Sequence, residues 1–221
     1  VYPGFRPVNE LLKYRNSIAI YADAESNLSE SFLLNIAVRY ENYSDFGSTI
    51  NGKLATRIKL SSLVNIRASI STGFRAPSMQ QQFFNSTSTI FNDFGEPEEV
   101  GLFANNSKVA NLLGIPELKQ ELSQSGSIGF TAIIPVAFLK ISLDAYMIAI
   151  QNRIVLTGQF KATTEELETL FIQAGASEAA FFANAIDTRS QGIDIVIDTE
   201  LVFANNLSLK NTLSGTFSNT K

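Results

Sequence analysis

Residues 65–74 read Asn-Ile-Arg-Ala-Ser-Ile-Ser-Thr-Gly-Phe, and polar and apolar side chains alternate through most of this stretch. Ile66, Ala68 and Ile70 fall on one side of the alternation, and Arg67 falls on the other. Successive side chains of a β-strand point to opposite faces of the sheet, so a period of two indicates a strand. The stretch therefore predicts a strand with one apolar face and one polar face.

The same alternation recurs along the chain and predicts about eight strands. They are expected at Ser17–Glu25, Phe32–Tyr43, Lys53–Ser61, Val64–Phe74, Gln124–Ile134, Phe138–Leu156, Arg189–Phe203 and Leu207–Ser218. Several reach or exceed the roughly 9–11 residues that a tilted strand needs to cross the core of a bilayer. Strands of soluble proteins are usually nearer to about five or six residues. The lengths therefore favour strands that span a membrane.

The predicted connections alternate between short and long. The short ones are Ser26–Ser31, Ser62–Leu63, Pro135–Ala137 and Ala204–Asn206, and the long ones are Ser44–Gly52, Arg75–Ser123 and Thr157–Thr188. A soluble β-sandwich also has two-faced strands, but loops this long are uncommon in compact soluble domains. Short turns on one rim and long loops on the other are typical of outer-membrane barrels. The predicted fold class is all-β, with antiparallel up-and-down strands that form part of a transmembrane β-barrel.

Charged side chains are concentrated on the polar face of the predicted strands. They are Asp23, Arg39, Glu41, Arg57, Lys59, Arg67, Lys140, Asp144, Asp194, Asp198 and Lys210. In a barrel wide enough to hold water, the polar face lines the lumen and the apolar face contacts lipid. A closed barrel also leaves no unpaired strand edge in the membrane.

The long loops contain short helix signals. Thr163–Glu166 is typical of a helix start with an acidic first turn, and Gly175 is the expected end of that helix. A second short helix is expected at Ser177–Phe182, and Glu98–Leu113 is a weaker candidate. We interpret the Phe-rich stretch there as packing that holds a loop helix against the barrel rim, rather than as a cofactor site.

The composition excludes several classes of function within this chain. There are 17 Lys and Arg against 21 Asp and Glu, so no basic surplus suggests nucleic acid. The chain has no His and no Cys, which excludes thiol catalysis, a Ser-His-Asp triad and zinc sites built from those ligands. The pairs Glu98-Glu99 and Glu165-Glu166 are expected to be solvated loop charges. No enzyme activity, metal site or cofactor is predicted.

The segment Gly73-Phe74-Arg75-Ala76-Pro77 resembles a motif of TonB-dependent receptors, in which a barrel strand enters an extracellular loop. Residues 115–121, which read Ile-Pro-Glu-Leu-Lys-Gln-Glu, are similar to the Asn-Pro-x-Leu-Lys-Pro-Glu segment of the same family. Ile115 and Gln120 depart from that pattern. Arg39–Ser44 and Ser190–Asp194 also resemble barrel strands of the family. The family-motif residues are Gly73, Phe74, Arg75, Ala76, Pro77, Pro116, Leu118, Lys119 and Glu121.

These motif residues have physical roles that do not require a ligand. Gly73 permits a close approach of the backbone, and Pro77 ends the strand because it lacks an amide hydrogen. Arg75 is expected to pair with carboxylates or carbonyl groups of the loop. We therefore interpret the motif as structural, and the sequence identifies no ligand-binding residues.

The resemblance implies an active importer in the bacterial outer membrane. Receptors of this family are barrels of roughly 22 strands that enclose a plug domain. They take up scarce nutrients such as ferric siderophores, haem, cobalamin or glycans, with energy from the TonB complex. Residues 1–221 are accordingly expected to be a partial barrel domain, excised from a longer chain, that contains neither the plug nor the segment contacting TonB. The expected partners are outer-membrane lipid, a small nutrient and, through the plug, TonB.

Two other functions fit parts of the pattern. A passive outer-membrane pore or an adhesin-type barrel has the same alternation but not the Gly73–Pro77 motif. A soluble or secreted β-sandwich that binds carbohydrate needs an aromatic platform, and the chain has no Trp and only six Tyr.

Overall fold

The computed structural model describes residues 9–91, 94–203 and 207–221. In chain order its elements are β1 Ser17–Asn27, β2 Phe32–Tyr43, β3 Gly47–Lys59, β4 Val64–Arg75, α1 Met79–Phe83, β5 Ser86–Phe91, β6 Pro97–Leu102, α2 Lys108–Leu112, β7 Glu121–Ile134, β8 Leu139–Leu156, β9 Phe160–Lys161, α3 Glu165–Ala174, β10 Glu178–Ala180, β11 Phe182–Val202 and β12 Ser208–Thr220. The predicted short link Ala204–Asn206 lies outside the described residues.

Eight of the strands form one antiparallel sheet in the order β1-β2-β3-β4-β7-β8-β11-β12. Neighbours in this order are also successive long strands of the chain, which is the up-and-down arrangement that the alternation predicts. All eight predicted strands are present, and the predicted fold class is confirmed. β7 begins at Glu121 and β11 at Phe182, so both are longer at their N-terminal ends than the sequence indicates.

The registers of the sheet separate an apolar face from a polar face. One cross-strand row on the apolar face consists of Leu34, Thr56, Ala68, Ile128, Ala145, Ile193 and Phe217. The same registers place the predicted charged side chains together on the opposite face, which confirms that prediction. Ile128 and Phe217 are 58% and 71% exposed. The apolar face is thus open to its surroundings rather than packed against a second layer.

The connections are divided between the two rims largely as predicted. The turns at 28–31, 60–63 and 135–138 lie on one rim, and the segments 76–120 and 157–181 lie on the other. These are called the short-turn rim and the long-loop rim below. The predicted long loop Ser44–Gly52 is wrong, because residues 47–52 pair with β2 and the connection is only residues 44–46. Pairing with β2 satisfies the backbone of a stretch whose polar composition suggests a loop.

The long loops contain more strand than predicted. β5, β6, β10 and β9 form a second, four-stranded sheet. The helix expected at Ser177–Phe182 is wrong, because Glu178–Ala180 forms β10 and Phe182 begins β11. Only part of Glu98–Leu113 is helical, as α2, because its first residues belong to β6. The helix expected from Thr163–Glu166 is confirmed as α3.

The ends of α3 have the predicted capping residues. The side chain of Thr164 accepts a hydrogen bond from the amide of Leu167, and Gly175 ends the helix at a φ of 62°. Among the helices in the described part of the chain, none has both the length and the apolar character required to cross a membrane.

Candidate functional site at the long-loop rim

The first family motif ends β4, and its arginine joins three strands at the long-loop rim. Arg75 Nε lies 2.9 Å from Glu121 Oε2, and Arg75 Nη2 contacts Glu121 Oε1. The amide of Ile154 donates to the same carboxylate at 2.8 Å. Glu121 is only 5% exposed and belongs to the second motif. One buried carboxylate therefore holds together the loop-side ends of β4, β7 and β8.

A second polar cluster fastens the remainder of the motif to the segment that precedes β1. Arg15 Nε donates to Asp45 Oδ2 at 2.9 Å, and Arg15 Nη2 donates to the carbonyl oxygen of Pro77 at 2.7 Å. Gln82 Nε2 donates to Asp45 Oδ2 at 2.8 Å. Sequence reasoning did not identify Arg15, Asp45 or Gln82, because they come from three separate segments that meet only in the folded chain.

The pKa of Asp45 reflects this environment. Burial of the Asp45 carboxylate acts to raise its pKa, but the hydrogen bonds from Arg15 and Gln82 favour the charged form. Together they hold the pKa of Asp45 below its ordinary value. The carboxylate in the 44–46 turn is thus kept ionised by its partners.

Aromatic side chains pack beside this cluster. The rings of Tyr43 and Phe46 are stacked at 4.5 Å, and the ring of Phe74 meets Tyr43 edge-on at 5.9 Å. The guanidinium of Arg15 lies 5.5 Å from the ring centre of Phe46, within the range of a cation–π contact. A Cβ added at Gly73 would lie 2.7 Å from the hydroxyl of Ser123, so the glycine permits a close approach between β4 and β7.

The second motif is held by β11 and by the loop that precedes α2. The amide of Lys119 donates to Asn184 Oδ1 at 2.8 Å, and Asn184 Nδ2 donates to the carbonyl oxygen of Lys119 at 2.9 Å. The carbonyl oxygen of Pro116 accepts from Asn105 Nδ2 at 2.9 Å. Leu118 is buried, and so is Pro77 in the first motif, whereas Ala76 is half-buried.

The two long loops fold together into a compact unit, called the cap here, that comprises β5, β6, α2, β9, α3 and β10. Strand β6 comes from the first loop and pairs in parallel with β10 from the second. The amide of Ser177 donates to the carbonyl oxygen of Glu99 at 2.7 Å. The amide of Phe103 donates to the carbonyl oxygen of Ala180 at 3.0 Å. Residues far apart in the sequence therefore share one sheet.

The cap has its own hydrophobic core. Its fully or nearly fully buried members are Val109, Ala110, Leu167, Phe171, Ala179 and Phe181. The ring of Phe103 lies 5.9 Å from that of Phe171 and 6.1 Å from that of Phe181. Thr87 Oγ1 donates to the carbonyl oxygen of Ala174 at 3.0 Å, which ties β5 to the end of α3. The Phe-rich stretch of the sequence thus contributes to the interior of the cap.

A cavity of about 310 Å³ lies between the β5–β6 hairpin and the two cap helices. The residues that line it include Asn85, Ser107 and Gln173, which bear amide and hydroxyl groups, and Phe103 and Leu170, which are apolar. Among the described residues, no three His, Cys, Asp or Glu side chains lie close enough together to hold a metal ion. The cavity suits a ligand that combines apolar surface with hydrogen-bonding groups.

On the polar face of the main sheet, Arg67 and Asp144 form an ion pair across the strand that lies between them. Arg67 Nε on β4 donates to Asp144 Oδ1 on β8 at 2.9 Å, passing over β7 at Gly129. Arg67 Nη1 also donates to Thr131 Oγ1 at 2.6 Å. A Cβ added at Gly129 would lie 2.1 Å from Asp144 Oδ1, so a side chain there is incompatible with the pair. Gly192 similarly makes room for the ring of Tyr146.

Comparison with known proteins supports the same family. The sequence profile described as TonB dependent receptor-like, beta-barrel matches residues 3–220. Comparison with curated proteins found no match.

Solved structures with a similar fold include two receptors and an importer. The siderophore receptor PirA from Pseudomonas aeruginosa has a TM-score of 0.67 and 17% identity, over 92% of this chain and 34% of that one. The ferric enterobactin receptor PfeA from Pseudomonas aeruginosa has a TM-score of 0.65 and 16% identity, over 91% and 26%. The RagAB peptide importer has a TM-score of 0.62 and 11% identity, over 92% and 22%.

This chain therefore spans about a third or less of the length of these solved proteins. At such identities the likeness concerns the fold alone. The match over residues 3–220 assigns the sheet to an outer-membrane barrel, and the soluble β-sandwich alternative is wrong. The chain belongs to the TonB-dependent receptor-like β-barrel family, whose members are receptors and transporters of the bacterial outer membrane rather than enzymes.

Proposed function

We propose that this chain forms part of the barrel wall and the extracellular cap of a receptor that captures a scarce nutrient and imports it with TonB-coupled energy. The observation that carries the proposal is the cap itself, because two long loops fold around one core at one rim and line an open cavity there. Loops at the outer rim are where such a receptor first meets its ligand. Energy coupling is assigned to a plug outside these residues.

Residues 1–221 are proposed to be a barrel segment that other strands complete. Each of the edge strands β1 and β12 pairs on one side only among the described residues. An unpaired edge in a membrane leaves backbone groups without hydrogen-bond partners, which a closed barrel avoids. The proposal thus expects further strands on both sides of the sheet.

The first ligand class to test is a ferric siderophore. Two of the similar solved structures are receptors for siderophores, and the cavity lining offers amide and hydroxyl groups rather than metal ligands. Such a lining fits a ligand that carries its metal already enclosed. Haem, cobalamin, glycans and peptides are tested as alternative ligands. Haem is less favoured than the others, because this chain has no His to bind the haem iron.

The family-motif residues are proposed to hold the rim rather than to touch the ligand. The side chains of Arg75 and Glu121 form an ion pair with each other. The backbone groups of Pro77 and Lys119 are hydrogen-bonded to other segments of the rim. Substitutions there are expected to loosen the cap and the strand ends together.

The proposed function is tested by filling the cavity. Gln173→Trp adds a bulky ring at a residue that lines the cavity, whereas Ile172→Trp adds the same ring at the neighbouring position on α3, which does not line it. Cell-surface binding and uptake of radiolabelled ferric siderophores are both measured in cells whose only receptor is the variant. Gln173→Trp is expected to weaken binding about tenfold, which corresponds to roughly 1.4 kcal/mol. Ile172→Trp is expected to behave as the parent.

The energy source is tested in the same cells by removing TonB. Uptake is expected to stop while binding at the cell surface persists. Uptake that continues without TonB would instead favour a passive pore. If both Trp variants bound the siderophore equally well, the cap cavity would not be part of the ligand-binding site.

A further inference from the structure

The outward face of β11 and β12 changes from apolar to polar at the same level on both strands. On β11, the outward side chains from Ile193 to Leu201 are apolar except for Thr199. Thr199 accepts a hydrogen bond from its cross-strand partner Asn211 at 3.3 Å. These nine residues match the roughly 9–11 that a tilted strand needs to cross the bilayer core.

Polar outward residues follow on the side of the long-loop rim. Gln191 and Arg189 continue the outward face of β11 beyond Ile193. On β12, Asn219 and Lys221 follow Phe217, and Gln191 is the cross-strand partner of Asn219. On these two strands, the change is where the boundary between the lipid tails and the headgroups of the outer leaflet is expected.

Arg189 and Lys221 are cross-strand partners that lie two residues beyond Gln191 and Asn219. The amide of Arg189 donates to the carbonyl oxygen of Lys221 at 2.8 Å, and the amide of Lys221 donates back at 2.9 Å. Two residues that exchange both hydrogen bonds have their side chains side by side on one face of the sheet. Both residues are exposed.

Neither cation forms an ion pair within the described residues, although Asp187 lies two residues before Arg189 on β11. The nearest acid along β11, Asp187, accepts a hydrogen bond from the amide of Asn152 at 2.8 Å. Like charges placed directly opposite each other destabilise a sheet unless something neutralises them. The other charged residues of the main sheet that sequence analysis assigned to the polar face point to the lumen, so this outward pair is an exception.

We propose that Arg189 and Lys221 together bind the phosphate group of an anionic lipid in the outer leaflet of the outer membrane. A guanidinium offers two parallel donors to a phosphate, and an ammonium adds a compact charge beside it. Gln191 and Asn219 supply further donors just below, and Ile193 and Phe217 contact the lipid tails. The site depends on the membrane location of the family and not on the transported ligand.

The test compares one lipid with and without its phosphate groups. The receptor is purified from outer membranes and placed in phosphatidylcholine nanodiscs that contain lipid A or dephosphorylated lipid A. Lipid that remains bound is quantified by native mass spectrometry. The parent receptor is expected to retain phosphorylated lipid A selectively, and Arg189→Gln with Lys221→Gln is expected to retain at least about tenfold less. The matched control, Lys140→Gln with Lys210→Gln, removes two lumen-facing cations and is expected to retain as much as the parent.

Three results would overturn the proposal. Equal retention of dephosphorylated lipid A would mean that the tails alone are bound. Displacement of the lipid by inorganic phosphate would indicate a site for a free anion. Undiminished retention by the double variant would mean that another part of the receptor neutralises the pair.

Folding of each variant is checked by the gel shift between boiled and unboiled protein. Lys221→Gln is measured alone as well, because its substitution just beyond β12 leaves the core of the strand intact. Retention must fall in that variant too. Arg189→Lys preserves the charge and is expected to retain more lipid than Arg189→Gln.

Discussion

Among single residues, Gly129 determines how the polar face of the barrel wall pairs its charges. The Arg67 side chain on β4 reaches Asp144 on β8 only because the intervening strand has no side chain at this point. Each charge also has a like charge as its other cross-strand neighbour, Arg57 beside Arg67 and Asp194 beside Asp144. The ion pair therefore relieves repulsion on both sides, and its loss affects four charged residues.

Gly129→Ala is expected to lower the free energy of unfolding by about 1–3 kcal/mol, because the added methyl group overlaps Asp144 and Arg67. The measurement is unfolding by urea in detergent micelles, followed by the gel shift. Gly126→Ala on the same strand is the control, since its Cβ would come no closer than 4.0 Å to another residue. Equal effects of the two substitutions would contradict the role given to Gly129.

Glu121 is the other residue on which several elements depend. Glu121→Ala leaves the Ile154 amide without an acceptor and Arg75 without its partner, so a loss of about 1–3 kcal/mol is expected. The Arg75 side chain is 54% exposed, so solvent screens the charge and the main loss comes from the buried hydrogen bonds. Glu200→Ala removes an exposed partner of Lys210 and is expected to cost less than about 0.5 kcal/mol. The same urea titration measures the stability of both variants. A comparable loss of stability in Glu200→Ala would argue against the role of Glu121 in holding the strand ends together.

The Asp45 cluster is expected to make the rim sensitive to acid. The folded pKa of Asp45 lies below the ordinary value of about 3.9, so ionised Asp45 stabilises the folded rim above that pH. This contribution is lost as the pH falls through the lower folded pKa. Asp45→Asn should therefore reduce stability at pH 7 and make little difference at strongly acidic pH. Arg15→Gln should remove the same pH dependence, and a difference that persists unchanged in acid would refute the assignment.

At the scale of elements, the cap behaves as a folding unit distinct from the wall. Its core consists of side chains from α2, α3, β10 and the residue that follows β10. The wall, in contrast, leaves many apolar side chains of its outward face exposed, as Ile128 and Phe217 show. Damage to the cap core is therefore expected to open the loops and leave the strands intact.

Phe171→Ala tests this separation. Removing a buried aromatic ring is expected to cost the cap about 3–5 kcal/mol of local stability. Limited proteolysis should cleave within 86–113 and 160–181, while the gel shift of the folded barrel remains. Ile172→Ala changes an exposed neighbour and should leave the loops resistant. Loss of the gel shift in Phe171→Ala would show that the cap and the wall fold together.

At the scale of the whole molecule, the apolar face of the sheet is expected to meet lipid and the polar face to line the lumen. Single cysteines at neighbouring positions test this directly, because the chain contains no cysteine of its own. A fluorophore attached to Ile128→Cys should be quenched by brominated lipid tails, whereas one attached to Ser127→Cys should not. Ile128 lies on the outward face, and the Ser127 hydroxyl meets that of Ser69 on the lumen face at 2.8 Å. Equal quenching at both positions would contradict the orientation of the wall.

The sequence alone determined that the wall has eight strands with one apolar and one polar face, and it identified the family. Alternation is a local property, because a strand with two different environments needs a polar and an apolar residue in turn. Residues such as Ile66 and Arg67 therefore reveal both the strand and the faces of the sheet without knowledge of their partners. The first motif likewise marks the end of β4, since Pro77 cannot continue the ladder.

Only the tertiary structure decided the register, the charge pairs and the cap. Residues 47–52 lack a clear pattern and become strand because β2 satisfies their backbone groups. Glu178–Ala180 has the composition of a helix, yet it forms a strand because β6, from a distant loop, pairs with it and buries it. Arg15, Asp45 and Pro77 are far apart in the sequence and meet only when the sheet brings their segments to one rim. Contacts of this kind depend on which chain segments become neighbours, and the period of a single strand carries no information about that choice.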